Sequence, residues 1–319
     1  MFTWSKTAMS AKRKVLVVGA SGMLGYEITQ ALASHGDQLE VTALVRADRM
    51  GNPHTQEKFT KLQRLGVKFV DGDLLAPETL ASACWGVDTI VSAVSGDERV
   101  MIEGQTNLIH AAEAAGVRRF IPSDYSVDYR NLDRGDNYNL DFRKTILELL
   151  QRQSNLSYTS VQVGILTEIL FSPFGVVFDL QKGQFRYWGD GETAFDTTTI
   201  VDAARYTAEA VLDDSLINQV LQVAGDTLTM KQLRALYEQN TIQVLREKRL
   251  GDVNDLQMWI AGHKEQAKSV YEYLSQQYHY TLVSGKGKLT AIANDRYPHI
   301  KPTTVKEYIR DHYDTKILH

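Results

Sequence analysis

Apolar and polar positions alternate along the first half of the chain in two periods that follow one another in order. A run of Val15, Leu16, Val17 and Val18 leads into glycines and then into helical spacing through Ile28, Ala31 and Leu32, which predicts a buried strand, a turn and a helix. The same succession continues, with strands predicted over 38–45, 67–70, 88–94 and 119–122. Helices are predicted over 55–65, 77–84 (proline in its first turn) and 101–115, the last closed by Gly116. A helix over 139–153 with apolar Leu140, Ile146, Leu147 and Leu150, then a strand over 158–163, complete the series. Strands separated by helices require right-handed crossovers, so the fold class is α/β, a Rossmann-type doubly wound parallel sheet.

Beyond residue 163 the alternation loosens. Segments 171–178 and 185–188 are apolar and aromatic, joined by glycine and proline, and suit pocket walls better than another crossover. A helix over 200–212, a short strand over 220–223 and helices over 269–277 and 304–313 follow, and Thr229 with Gln232 forms a capping box opening the helix Met230–Asn240. With no internal repeat and no low-complexity linker, three stretches are expected. These are a leader over 1–10, a nucleotide-binding domain over 11–163, and a smaller α/β substrate domain over 164–319, partly intertwined with the first around one cleft.

Composition narrows the function without naming it. The 319 residues hold 35 basic and 39 acidic side chains, a formal charge of -4, and the longest basic cluster is Lys12-Arg13-Lys14, which argues against a nucleic-acid partner. A single cysteine, Cys84, excludes an internal disulfide and fits a reducing compartment. No window approaches the roughly 18 continuous apolar residues of a membrane helix, and residues 1–10 lack a signal-type apolar stretch. A cytoplasmic protein acting as a monomer or homodimer is expected. The eight histidines show no paired ligand spacing, so no metal site is expected.

The chemistry begins at Gly19-Ala20-Ser21-Gly22-Met23-Leu24-Gly25. Between a strand and a helix, three glycines three apart suit a pyrophosphate: Gly19 for the tight turn, Gly22 for close backbone approach, Gly25 for close packing of helix on strand. Ser21, Met23 and Leu24 complete this cofactor turn. The second strand ends in Leu44-Val45-Arg46 with no carboxylate before Asp48, which favours NADP(H) over NAD(H); Asp48 reaching a ribose is the alternative. Asp73 and Leu74 after the third strand, Ala93, Val94 and Ser95 after the fourth, Ser123 after the fifth and Val163 at the end of the sixth are further cofactor candidates. Asp71 could meet the adenine or serve only its turn. Lys144 is the one lysine on the helix after the fifth strand. Leu140 stands four residues before it, so the Tyr-Lys dyad of standard short-chain dehydrogenases is absent. Tyr125, Gly164, Ile165, Phe171, Phe174, Tyr187 and Trp188 are the candidate substrate residues, an aromatic wall for a planar apolar molecule or, alternatively, core packing.

These residues resemble the NmrA-like and isoflavone-reductase-like branch of atypical short-chain dehydrogenases, which includes phenylcoumaran benzylic ether, pinoresinol-lariciresinol, isoflavone and aromatic alcohol reductases. The resemblance rests on the glycine turn, Leu44-Val45-Arg46, Gly72-Asp73-Leu74, and the run from Gly116 to Tyr125, similar to the family's G-V-K-R-F-x-P-S-E-F. Lys144, Gly189-Asp190-Gly191 and Thr304 to Ile309 add to it. It implies NADPH held by the glycine turn and Arg46, an aromatic or conjugated substrate, and Lys144 as general base and cofactor contact. The chain departs from the family at Ser123-Asp124-Tyr125-Ser126, where the reductases show S-E-F-G. Three functions stay open: a reductase of conjugated molecules, a quinone or carbonyl reductase, and a dinucleotide-sensing regulator without turnover.

Overall fold

A computed structural model describes residues 11–313; the expected leader over 1–10 lies outside them. Six parallel strands form the centre: β1 (Arg13–Val18), β2 (Leu39–Val45), β3 (Lys68–Asp71), β4 (Thr89–Ser92), β5 (Arg119–Ile121) and β6 (Ser157–Gln162). In space they run β6-β5-β4-β1-β2-β3, so the order reverses between β1 and β4, and ligands of such sheets bind beyond the strand ends at that reversal. A seventh strand, Gln219–Gln222, pairs in parallel with β6. The later half of the chain thus enters the sheet, and its helix Ile200–Leu212 packs on the first helix, Met23–Ser34.

Two differences from the periodicity have local causes. The stretch read as one helix over 101–115 opens with a wider π-helical turn, Arg99–Gly104, before the α-helix Gln105–Ala114. Gly104 packs on Leu74 there, and an added Cβ would come 3.0 Å from the Leu74 Cβ. The helix expected over 269–277 instead begins as a single turn, Val270–Glu272, capped by Ser269, and the α-helix runs Leu274–Val283. The helix Val253–Gln266 was not foreseen. Leu256 is its one buried residue, so it carries almost no apolar stripe to read.

The hydrophobic interior falls into two faces of the main sheet and a second core. The faces are packed by residues such as Val17, Ile28 and Tyr206 on one side and Leu16, Leu108 and Phe120 on the other. The second core gathers Phe171, Phe185, Tyr187, Trp188, Tyr237 and Leu256 under two three-stranded sheets. No helix among the described residues is long and apolar enough to cross a membrane.

Candidate functional site

The turn after β1 is built by contacts that leave no room for side chains. Gly19 has φ +99°, and a Cβ there would lie 2.5 Å from the Ala93 carbonyl oxygen, so the turn and the end of β4 are pressed together. A Cβ on Gly25 would lie 2.1 Å from the Gly19 carbonyl oxygen. Gly25 therefore seats the helix on the turn itself and does not line the cleft. Gly22 caps the helix Met23–Ser34 without a side-chain bond, leaving the free N–H groups of its first turn facing outward.

From this turn a cleft of about 850 Å³ crosses the strand ends. Gly19, Ser21, Gly22, Met23, Leu24, Arg46, Asp73, Leu74, Ala93, Val94, Ser95 and Ser123 all line it. The Ser123 hydroxyl donates to the Val94 carbonyl at 2.7 Å, tying β5's end to β4's. Arg46 stands at the β2 end with its Nε 3.4 Å from the Asp48 carboxylate, and both side chains are largely exposed. Arg49 and Thr55 line the same end and were not foreseen. A one-turn helix, Ala47–Met50, brings Arg49 round beside Arg46, a fold too short to show as periodicity. Asp71 is exposed and outside the cleft. Val163 also lies outside it, fully buried, with its N–H donating to Ser126 and its carbonyl accepting from the Thr198 hydroxyl at 2.6 Å.

The opposite end of the cleft differs from expectation in its side chains. Tyr125, Gly164, Ile165 and Phe174 line it. Phe171, Tyr187 and Trp188 do not; they belong to the second core, where Phe171 stacks on Phe178 at 4.7 Å and the Trp188 indole donates to Gln276. All three are buried there, Phe171 also against Tyr308 and Tyr187 against Phe185. The wall is supplied instead by the helix Leu274–Val283, through Leu274, Tyr278 and Leu282, with Phe174 edge-on to Tyr278 at 5.7 Å.

Lys144 is also placed elsewhere. On the helix Tyr138–Gln151 its ammonium donates to the Leu132 carbonyl, and it is not among the residues lining the cleft. Asn139 and Arg143, one helical turn apart, line the cleft in its stead. One residue along a helix is a rotation of about 100°, which is the whole difference between these two cations. Helical phase relative to buried Leu140 and Leu147 is the signal that could have found Arg143.

Behind this wall lies Asp124, fully buried, accepting from the Tyr129 hydroxyl at 2.8 Å and the Ser160 hydroxyl at 2.6 Å. Burial raises its pKa, while these two bonds and the charge of Arg143 work against that rise. Burial likewise pushes the Tyr125 phenol up, so it stays a neutral hydroxyl, buried beside Thr207. No cluster of three or more potential metal ligands occurs among the described residues.

A glycine turn without room for a Cβ, a free helix start and a cation at the end of β2, gathered at the reversal of a parallel sheet, define a dinucleotide-binding α/β protein. The chain belongs to the NmrA-like family, whose model matches residues 11–309. It is 30% identical over 311 residues to an NmrA-like family domain-containing oxidoreductase of Gibberella moniliformis, covering 93% of this chain and 97% of that one. It is 26% identical to an isoflavone reductase of Pisum sativum, covering 94% of this chain and 99% of the relative. The fold is similar to a solved structure described as AtPrR2 with NADP+ and (+)pinoresinol, with TM-score 0.81 and 23% identity over 95% of this chain and 99% of the other.

Proposed function

We propose that this protein is an NADPH-dependent reductase that transfers hydride to an aromatic or conjugated small molecule. The observation that carries the reading is the continuity of the cleft. Its phosphate end is built from backbone and arginines, and it opens without a break onto a wall of Ile165, Phe174, Leu274, Tyr278 and Leu282. Gly19, Gly22, the first turn of the helix Met23–Ser34 and Arg46 would hold the dinucleotide. When bound it supplies the hydride. The apolar wall orients a planar acceptor and excludes water from the reacting end. The oxidoreductase and reductase relatives, and the NADP+ in the similar structure, support the same cofactor and reaction class.

A second reading, a dinucleotide-binding regulator without turnover, is favoured by one observation: Lys144, the general base the family resemblance implies, is bonded to Leu132 away from the cleft. Fluorescence titration with NADPH and NADH, followed by NADPH oxidation against quinones, enones, aromatic aldehydes, lignan-like ethers and conjugated aromatic acids, separates the two. The reductase binds NADPH in preference to NADH and consumes it with at least one acceptor. Tight binding with silence across the whole panel supports the regulator and overturns the reductase.

A further inference from the structure

The cleft's charge is distributed unevenly. Among the described residues lining it, Asp73 is the one carboxylate and Arg46, Arg49 and Arg143 are the cations. Arg46, Arg49 and Asp73 follow β2 and β3, on the side of the sheet reversal where the second strand meets the adenosine half of a dinucleotide. Arg143 stands across the reversal, on the helix between β5 and β6, beside the apolar wall.

Its guanidinium is held in place but unsatisfied. One terminal nitrogen donates to the Asn139 carbonyl at 3.3 Å, a long bond, and the buried Nε has no hydrogen-bond partner. No carboxylate among the described residues forms an ion pair with Arg143, in contrast to Lys286, which pairs with Asp133 and Asp136. Asp124 is near enough for its charge to be felt; one of its oxygens accepts from Tyr129 and Ser160, and the other is buried without a hydrogen-bond partner. A guanidinium is a planar fork of donors, and the terminal nitrogens of this one, on the cleft lining, make one long bond among the described residues, which leaves them open to an acceptor that arrives with the ligand. The acceptor that matches a fork is a carboxylate, bound by two parallel bonds.

We infer that Arg143 is a specificity-determining residue and that the cleft takes an aromatic or conjugated acid, its carboxylate on Arg143 and its planar body against Phe174, Tyr278 and Leu282. The assignment rests on the reductase reading for the class of substrate, but it is tested by binding alone. Calorimetry on the NADP+-saturated protein compares 4-coumarate with 4-coumaryl alcohol, which share the phenol and differ at the carboxylate. The wild type is expected to bind the acid at least about tenfold more tightly, the scale of one charge-assisted hydrogen bond. Arg143→Gln removes that preference while leaving NADP+ affinity and thermal melting near wild type. Arg143→Lys keeps the charge without the fork and retains part of the preference.

Equal binding of acid and alcohol, binding of neither, or a preference that survives Arg143→Gln overturns the assignment. So does a tenfold loss of NADP+ affinity in Arg143→Gln, which would put the guanidinium on the cofactor. Selective binding of the acid by a protein that never oxidises NADPH leaves the assignment standing and overturns the reductase instead.

Discussion

The two ends of the cleft are made in different ways. At the phosphate end the ligand-facing surface is mostly backbone, fixed by Gly19 against Ala93 and Gly25 against Gly19. At the substrate end it is side chains, borne by the helices Tyr138–Gln151 and Leu274–Val283 and by the segment 165–174, and standing on the second core: the Trp188 backbone N–H donates to His279 at 3.3 Å and its indole to Gln276 at 3.1 Å, both on the helix Leu274–Val283. The first end is intolerant of a Cβ at Gly19 or Gly25, whereas the second can be reshaped by a single rotation or substitution.

The strongest way to break this contrast is Gly25→Val. With no room for even a Cβ, the substitution should displace the helix from the turn, abolish NADPH binding in a fluorescence titration and lower unfolding free energy by more than about 3 kcal/mol. A variant that binds normally would remove the tight turn from the account.

The next effect belongs to the other end. His279 is buried and its pKa is depressed to about 4, chiefly by burial and then by the charge of Arg186. The unfolded chain, with the ordinary value of 6.5, takes up this proton first as pH falls, so the stability is complete above pH 6.5 and is lost toward pH 4. The loss amounts to about 3 kcal/mol, and urea unfolding across that range should show it in the wild type and a flatter profile in His279→Gln. Identical profiles would mean that His279 does not carry the acid sensitivity of the substrate wall.

A smaller change is expected from Arg46→Ala, which should weaken NADPH about tenfold and NADH little, because only the former carries a phosphate for the guanidinium. Equal losses for both would shift the preference to Arg49 or Asp48. Smallest of all is Lys144→Met. Loss of its bond to Leu132 should lower stability by about 1 kcal/mol and leave NADPH affinity unchanged. A collapse of turnover at unchanged affinity would return Lys144 to the chemistry.

Legibility in the sequence followed the same division. Strand and helix order, the glycine turn and the loops after β2 to β5 could be read because period and backbone geometry determine them. Gly25 packs on Gly19, the residue directly after the first strand. The substrate end was poorly legible for two physical reasons. Phe171, Tyr187 and Trp188 look alike whether they face a pocket or a core, and only the packing of the second core decides. Arg143 and Lys144 are adjacent cations, so helical phase, invisible in composition, chooses which one lines the cleft.

The central claim, that this cleft brings a dinucleotide and a conjugated acceptor together for hydride transfer, is tested most directly by isotope transfer. NADPH labelled with deuterium on either face of its nicotinamide C4 would be incubated with an accepted substrate and the product weighed by mass spectrometry. One of the two labelled cofactors should give product carrying one deuterium on carbon, and the other unlabelled product. Product without deuterium from both, or no product at all despite tight NADPH binding, would contradict the account.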